Sequence, residues 1–260
     1  MKLFFSEFLP NYQKYYFPYQ VWLLKESVDS VDEIYANGFL PFRDKPGVYY
    51  LARSLRVDLS RFELSSENRR ILRKTENISA EIKPLAEFSY RPEVQKLCVD
   101  YAQERFGQGI MPAPTIKSIF TGNVYNQIFV FKDLTNREVG WAVCFLNDHL
   151  LQFAHSFYDL AYFKQDLGAR MMLEAIIWSQ NHQRQYAYLG TCYESKALYK
   201  TEFKGVEFFN GFTWSANLEE LKSLIARYSP DYLLRDKEYL QRFYNNLPEI
   251  LDKYGVRVKF

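Results

Sequence analysis

Alternating apolar and polar positions in the middle of the chain predict three consecutive β-strands. The strand-like runs cover residues 127–131, 139–146 and 150–158, and they are rich in β-branched and aromatic residues. Turn-forming pairs separate them, Thr135-Asn136 and Asn147-Asp148. Strands joined by such short turns pair side by side, so the sequence predicts an antiparallel meander.

A strongly apolar segment after the meander predicts a helix over residues 171–182, followed by a short strand at 186–190. A loop with a glycine, residues 165–170, opens this helix. This order of strands, loop, helix and strand resembles the core of the acyl-CoA N-acyltransferases, the GNAT superfamily. The expected fold class is therefore α+β: a GNAT-like mixed sheet flanked by helices, with a smaller N-terminal α/β region and a helical C-terminal tail.

The N-terminal part supplies that smaller α/β region. Residues 20–25 and 48–59 have strand-like patterns, and residues 31–38 have a helical pattern that ends at a glycine. A basic helix is predicted from Ser65 to Lys74, because a serine cap and an acidic first turn stabilise a helix start.

Further helical patterns complete the organisation of the chain. Residues 91–106 and 114–122 precede the meander, and the tail is helical from Asn217 with breaks at Pro230 and Pro248. We expect three regions: an N-terminal region over 1–84, a GNAT-like acyl-transfer domain over 85–215 and a C-terminal helical extension over 216–260.

Composition narrows the function classes. Of the 260 residues, 48% are hydrophobic and 25% charged, which is typical of a globular domain. The aromatic share of 18% indicates a core filled with rings, with base-stacking surfaces as the alternative. A net charge of +2 argues against a grip on a long nucleic acid, so DNA is not an expected partner and any RNA contact should be local, as with a strand end.

Neither a metal site nor a membrane segment is expected. The three cysteines, Cys98, Cys144 and Cys192, lack the spacing of metal ligands. No apolar run reaches the ~20 residues that cross a bilayer, and polar residues interrupt the N-terminal apolar stretch too early for a signal peptide. The expected location is the cytoplasm.

Two stretches of sequence resemble the aminoacyl-tRNA–protein transferases. In Phe62–Arg70, the residues Phe62, Arg69 and Arg70 match a Phe-x-Pro-x-x-Ser-Gln-Arg-Arg segment of that family. The second stretch resembles its Tyr-Leu-Gly-Tyr and Lys-Met-x-Tyr-Lys-x-x-Phe-x-Pro-x-Glu motifs, with these matching residues: Tyr188-Leu189-Gly190, Lys196, Tyr199-Lys200, Phe203 and Glu207. Phe157-Tyr158-Asp159 resembles a Phe-Tyr-Asp-Pro that precedes them, and the order agrees over roughly residues 8 to 210.

The resemblance implies transfer of an amino acid from aminoacyl-tRNA to an amine, such as the N-terminal Asp or Glu of a protein in an N-degron. Family members carry an N-terminal cysteine cluster that can hold an iron–sulfur centre. Here Tyr15, Phe17 and Tyr19 occupy that region, so we expect neither a cluster nor any other cofactor. An aminoacyl ester is already activated, so no covalent enzyme intermediate is expected.

Candidate site residues follow from the loop and the motifs. The loop resembles the superfamily's Arg/Gln-x-x-Gly-x-Gly/Ala signature, and free N–H groups at its helix start suit an anionic donor. Binding of the tRNA 3′ end is assigned to the loop residues Gln165, Leu167, Gly168, Ala169 and Arg170. The residues given catalytic roles are Asp159, Tyr193, Tyr199 and Lys200. Substrate binding is assigned to Arg69, Arg70, Tyr158, Ser195, Lys196 and Lys204.

The sequence leaves alternative functions and alternative donors open. The loop alone fits an acyl-CoA-dependent N-acetyltransferase, and the lost prolines and cysteines fit a non-catalytic peptide or RNA binding module. An arginine donor would use the acids Glu174, Glu194 and Asp159, whereas a leucine or methionine donor would use apolar surroundings. Core positions are the simpler interpretation of Trp141, Tyr188 and Cys192, and His155 is interpreted as a satisfied core or cleft histidine.

Overall fold

A computed structural model describes residues 1–11, 13, 18–227, 233 and 236–245. The chain divides into two compact units, one of Met1–Phe5 and Val21–Ala216 and the other of Ser6–Gln20 and Asn217–Phe260. Within the described residues, no helix is both long and apolar enough to cross a membrane.

The first unit is built on an eight-stranded sheet with the order β12-β11-β5-β10-β9-β8-β7-β6. Its strands are β5 (Ser54–Asp58), β6 (Ser79–Pro84), β7 (Gln127–Lys132), β8 (Glu138–Leu146), β9 (Leu150–Tyr158), β10 (Tyr186–Thr191), β11 (Val206–Phe209) and β12 (Trp214–Ser215). Strands β6 to β9 pair antiparallel, and β10 lies parallel to β9. The predicted meander is therefore confirmed as β7, β8 and β9.

Helices flank this sheet in the order that the sequence predicts. Between β6 and β7 lie α3 (Pro92–Phe106) and α4 (Ala113–Thr121), and α5 (Leu167–Asn181) connects β9 to β10. A parallel neighbour requires such a crossover helix. The succession β6-α3-α4-β7-β8-β9-α5-β10 is the element order of an N-acyltransferase core, so the GNAT-like α+β fold class is confirmed.

Strands β9 and β10 separate along their length. Their pairing joins Leu150–Gln152 of β9 to Tyr186–Tyr188 of β10. Farther on, β9 continues beside β8, whereas β10 shifts register and continues beside β5. The segment 154–156 is partly exposed although β9 is a central strand. The sheet therefore opens into a cleft between these two strands.

The N-terminal region adds a second, four-stranded sheet with the order β1-β2-β4-β3. Its elements are β1 (Lys2–Glu7), β2 (Tyr19–Leu24), α1 (Val31–Ala36), β3 (Phe39–Pro41) and β4 (Val48–Leu51). Ring and aliphatic side chains pack it against Leu150 and Tyr188 of the main sheet. Of the three aromatic residues named in the sequence analysis for this region, Tyr19 begins β2, and Tyr15 and Phe17 lie outside the described residues.

The prediction of a single strand over residues 48–59 is wrong. Residues 48–51 belong to the small sheet and residues 54–58 to the large one. The chain bends at Ala52, whose N–H bonds to the Gly38 carbonyl, 3.1 Å away. Both halves have strand-like patterns, and periodicity carries no information about which sheet a strand joins.

The basic helix α2 (Ser66–Lys74) begins where the sequence predicts. Ser65 Oγ accepts a bond from Asn68 N–H, and the Asn68 side chain accepts one from Ser65 N–H, both at 3.1 Å. This reciprocal capping box fixes the helix start. Helix α2 packs against α5, so its basic C-terminal half is carried to the start of α5.

The second unit contains α6 (Leu218–Ala226) and α7 (Lys237–Tyr244), which confirms a helical tail where it is described. The buried Glu220 carboxylate accepts hydrogen bonds from the hydroxyls of Tyr239 and Tyr244. The breaks predicted at Pro230 and Pro248 lie outside the described residues.

Candidate active site

The start of α5 leaves backbone N–H groups without helical partners. The helix begins at Leu167, after Asp166 in the left-handed region at φ 63°. Leu167, Gly168 and Ala169 therefore form its first turn, instead of the loop that the sequence predicts, because a 3₁₀ helix over Leu160–Gln165 takes up the preceding segment. The first N–H groups of any helix lack an intrahelical acceptor, and Asp166 makes no side-chain cap to them.

Basic residues of α2 hold the Asp166 side chain away from this turn. Asp166 Oδ2 accepts a hydrogen bond from Lys74 Nζ at 2.7 Å and one from Arg70 Nη2 at 3.1 Å. These two bonds keep the pKa of Asp166 below its ordinary value, and the bond from Lys74 has the larger effect. Desolvation of Asp166 acts in the opposite direction but is outweighed. Arg70 also pairs with Glu67, Nη2 to Oε1 at 2.6 Å, so two carboxylates balance the charges of the two cations. The open N–H groups of the first turn remain for a phosphate or another anion.

The neighbouring arginine of the motif does not join this contact. Arg69 Nη1 donates to the Leu64 carbonyl at 2.7 Å. Successive helical residues point about 100° apart. The two predicted substrate-binding arginines therefore serve different surfaces, and only Arg70 is brought to α5.

Tyr158 closes one side of the α5 start. It is buried, and a methyl group added at Gly168 would lie 3.1 Å from its ring and 3.2 Å from its hydroxyl. An alanine at position 168 would therefore require the Tyr158 ring to move by a few tenths of an ångström. The Tyr101 ring of α3 packs 4.9 Å from the Tyr158 ring. Desolvation raises the pKa of Tyr158, so this predicted substrate-binding residue keeps its proton.

The other two loop residues differ in their roles. Gln165 ends the 3₁₀ helix and is partly exposed. Arg170 does not offer a free charge to a donor, because its guanidinium pairs with Glu174 one turn farther along α5 and its side chain is only 12% exposed. An i,i+4 pair of this kind turns the side chain along the helix.

Lys200 lies at the β9–β10 cleft. Its Nζ donates to the Thr191 carbonyl at 3.2 Å and would lie 3.7 Å from a methyl group at Gly190. Gly190 has φ +80°, a conformation that favours glycine, and it sits where β10 shifts register. Lys200 is partly exposed yet deep in the molecule. Desolvation therefore lowers the pKa of its ammonium group, and Cys192 offsets part of this decrease.

Tyr199 precedes Lys200 in the 3₁₀ helix Ser195–Thr201 and is half exposed. Desolvation of the Tyr199 hydroxyl raises the pKa of Tyr199, and the neighbouring Tyr158 raises it further by a smaller amount. Arg105 of α3 acts electrostatically on both tyrosines and lies 4.9 Å from the Phe163 ring. Arg105 was not among the predicted site residues, because an amphipathic pattern does not show which end of a helix meets a cleft.

The remaining predicted catalytic residues make structural contacts. Tyr193 is exposed, and its hydroxyl accepts a bond from Arg53 N–H at 2.8 Å. Asp159 Oδ1 accepts from Ala161 N–H at 3.0 Å, and Oδ2 lies 3.3 Å from Arg137 Nη1. Asp159 thus caps the 3₁₀ helix that leads to α5, and its role toward an amine stays a prediction.

Three predicted substrate-binding residues lie at the surface, Ser195, Lys196 and Lys204. Lys196 pairs with Glu194 at 2.8 Å, and Lys204 pairs with Glu63 at 2.6 Å. The acids suggested for an arginine donor are therefore each paired, since Glu174 bonds Arg170 and Asp159 bonds Arg137. The part of the chain that the structure describes holds no group of three or more His, Cys, Asp or Glu residues placed to bind a metal.

The core assignments are confirmed. Trp141, Tyr188 and Cys192 are buried. His155 is the cleft histidine that the sequence predicts, with its Nε2 3.1 Å from the Tyr125 hydroxyl. Tyr125 lies just before β7, and nothing in the sequence linked it to a histidine 30 positions away.

A comparison with known protein families shows which family this region of the chain resembles. Residues 93–210 match the family model described as "Arginine-tRNA-protein transferase, C terminus". Over this region, a little less than half of the chain, the sequence is similar to that C-terminal domain. The resemblance found in the sequence is confirmed over this region, which holds the first turn of α5, Tyr199 and Lys200. Arg69 and Arg70 precede the matched domain.

Solved structures show only distant likeness. L-PGS from Bacillus licheniformis is 12% identical, with 62% of this chain and 51% of that one covered and a TM-score of 0.37. FemX is 10% identical, with 65% and 61% covered and a TM-score of 0.39. A GCN5-related glucosamine N-acetyltransferase region of a fungal multi-domain β-N-acetylglucosaminidase is 11% identical, with 60% and 19% covered and a TM-score of 0.41.

The chain spans about half the length of the L-PGS structure that it matches. A comparison with curated proteins gives no match.

Proposed function

We propose that this protein transfers an amino acid from the 3′ end of an aminoacyl-tRNA to an amine, and that the amine belongs to an N-terminal Asp or Glu of a protein. The family match supports aminoacyl-tRNA as the donor in general terms. The observation that carries the proposal is the start of α5, where Arg70 and Lys74 hold Asp166 and leave the first-turn N–H groups open.

The cleft offers groups for the chemistry of this reaction. The amine nitrogen attacks the ester carbonyl, and the C–O bond to the ribose breaks. We assign the stabilisation of the oxyanion that forms between these events to the Lys200 ammonium, which lies beside Thr191 at the end of β10. Tyr199 has a raised pKa and stays protonated, so it can give a proton to the ribose oxygen while the amine releases one to solvent.

A label-transfer assay tests the proposal. The protein is incubated with a mixture of radiolabelled aminoacyl-tRNAs and with peptides that begin with Asp, Glu, Asn or Ala. We expect label on the Asp and Glu peptides and loss of transfer after RNase treatment. Absence of transfer from every aminoacyl-tRNA would overturn the proposal.

The second candidate, an acyl-CoA-dependent N-acetyltransferase, gains one supporting observation. A long side chain at position 170 would crowd a pyrophosphate at the start of α5, but Arg170 pairs with Glu174 along the helix. Calorimetric titration with acetyl-CoA separates the two functions. Tight binding of acetyl-CoA would favour the acetyltransferase.

A further inference from the structure

A cavity of about 390 Å³, which we call the α3 cavity, lies between α3 and the end of β9. One face of α3 lines it, since the contributing residues recur at helical spacing: Glu93, Lys96, Leu97, Asp100 and Tyr101. Tyr158, Asp159 and Leu160 complete the lining. The volume falls within the range of ~300–1,000 Å³ that is typical of ligand sites.

The buried part of the lining is aromatic. Tyr101 and Tyr158 are both buried, and their ring centroids are 4.9 Å apart. Leu97 and Leu160 add apolar side chains that are partly exposed. The face of a tyrosine ring attracts a cation, and the alkyl stem of a basic side chain packs on apolar surface. The interior of the cavity therefore suits a cation that has an apolar stem.

The charged part of the lining is mostly acidic. In the part of the chain that the structure describes, three carboxylates and one ammonium group line the cavity. Lys96 pairs with Asp100 at 2.7 Å. Asp159 lies 3.3 Å from Arg137, which is outside the lining. Glu93 is exposed and forms no ion pair within the described residues, so its carboxylate remains for a bound cation.

The cavity adjoins the start of α5 through Tyr158. This side chain lines the cavity, and its hydroxyl would lie 3.2 Å from a methyl group at Gly168 in the first turn of α5. A group bound in the cavity is therefore one side chain away from the place that we assign to the donor. The acidic lining repels phosphates, so a tRNA strand is a poor occupant. A peptide acceptor has no phosphates and can present a cation.

We propose that the α3 cavity binds a basic side chain of the acceptor peptide, close to the N-terminal residue that receives the amino acid. The ammonium or guanidinium group pairs with Glu93, and the alkyl stem lies on Tyr101 and Tyr158. The inference rests on the proposed function, because it requires a peptide acceptor beside the donor. It names a second feature of that acceptor, a Lys or Arg within a few residues of the N-terminal Asp or Glu.

Direct binding without tRNA tests the cavity. Fluorescence anisotropy measures the dissociation constants of labelled peptides that begin with Asp and carry Lys at the second, third or fourth position. Each peptide has a counterpart with norleucine in place of Lys. We expect at least one Lys peptide to bind ~10-fold or more tightly than its counterpart, as for a hydrogen-bonded charge. Glu93→Gln should remove this preference, whereas Glu87→Gln should keep it, because Glu87 is exposed and lies outside the lining.

Equal binding of every Lys peptide and its norleucine counterpart, or a preference that survives Glu93→Gln, would overturn the inference. The comparison of peptide pairs on the unsubstituted protein decides even if a variant does not fold. Arginine methyl ester, which imitates the aminoacyl end of the donor, is a second probe. If Glu93→Gln abolishes its binding while the peptides show no Lys preference, the cavity belongs to the donated residue and the acceptor assignment is wrong. A preserved Lys preference in a protein that transfers no label would instead refute the proposed function alone.

Discussion

At the residue scale, the candidate site is made of groups whose protonation is set by depth in the molecule. Lys200, Tyr199 and His155 are each partly or half exposed, yet each is desolvated. This combination describes the floor of a cleft, where solvent enters from one direction only. Burial disfavours charge there, so the lysine and histidine have lowered pKa values and the tyrosine a raised one.

Lys200 is expected to be needed for amino-acid transfer and to lower the stability of the folded chain. We expect Lys200→Met to lower the rate of label transfer on the order of 100-fold, the loss typical of a removed oxyanion donor. The thermal midpoint should stay the same or rise, because a desolvated ammonium is replaced by an apolar side chain of similar length. Lys222→Met, at an exposed position of α6 outside the candidate site, is the control and should keep its activity. A stable Lys200→Met protein with full activity would exclude the role.

His155 should make the fold sensitive to acid. Its pKa is about 3 in the folded chain, against 6.5 as its ordinary value. Between these values the unfolded chain binds a proton that the folded chain does not, so stability falls as pH falls from 6.5 toward 3. At pH 4.5 the difference amounts to about 2 to 3 kcal/mol.

Urea unfolding at pH 7 and pH 4.5 measures this effect. The loss of unfolding free energy between the two should be smaller in His155→Gln, whose amide can still bond Tyr125. His149→Gln, at an exposed position, should behave like the unsubstituted protein. An equal loss in both variants would contradict the assignment of acid sensitivity to His155.

At the element scale, the pairing of α2 with α5 organises the donor side. The capping box fixes where α2 begins, and the last turn of α2 then carries Lys74 to Asp166. The sequence predicts α2, α5 and their charges separately. Their contact depends on packing across more than 90 residues of chain, which local patterns do not record.

The two arginines of the α2 motif should differ in their effect on tRNA. We expect Arg70→Gln to weaken tRNA binding and to reduce its dependence on salt concentration, since one fewer phosphate contact releases fewer counterions. Arg69→Gln should have a smaller effect, because Arg69 bonds the Leu64 carbonyl. Filter binding at several salt concentrations measures both, and equal effects would contradict the distinction.

At the scale of the whole molecule, charge limits how much RNA the protein can grip. The net charge is +2, and the cations that we assign to the donor are concentrated at one helix start. A protein that covers the body of a tRNA would need more phosphate contacts than this. Recognition should therefore centre on the aminoacylated end.

A shortened donor tests this expectation. An aminoacylated minihelix that contains only the acceptor stem and the 3′ end should support label transfer within a few-fold of the full tRNA at equal concentration. A loss of about 100-fold or more, equivalent to about 2.7 kcal/mol, would show that contacts beyond the acceptor stem are needed.

The sequence by itself determined the order of the elements and the type of fold. Alternation along 127–158, the apolar helix after it and the serine cap at Ser65 are local signals, and local signals indicate strands and helices. They do not fix every end, since α5 begins at Leu167 and residues 48–59 form two strands. The motif residues Tyr199 and Lys200 and the loop around Gly168 were identified instead by resemblance to family and superfamily motifs.

Only the tertiary structure decided what these residues touch. It divided 48–59 between two sheets, paired Arg170 with Glu174, placed Arg105 over the Phe163 ring and brought Tyr125 to His155. The physical reason is that desolvation and charge pairing act through space between distant segments. A one-dimensional pattern records the period of each segment and leaves its neighbours undetermined.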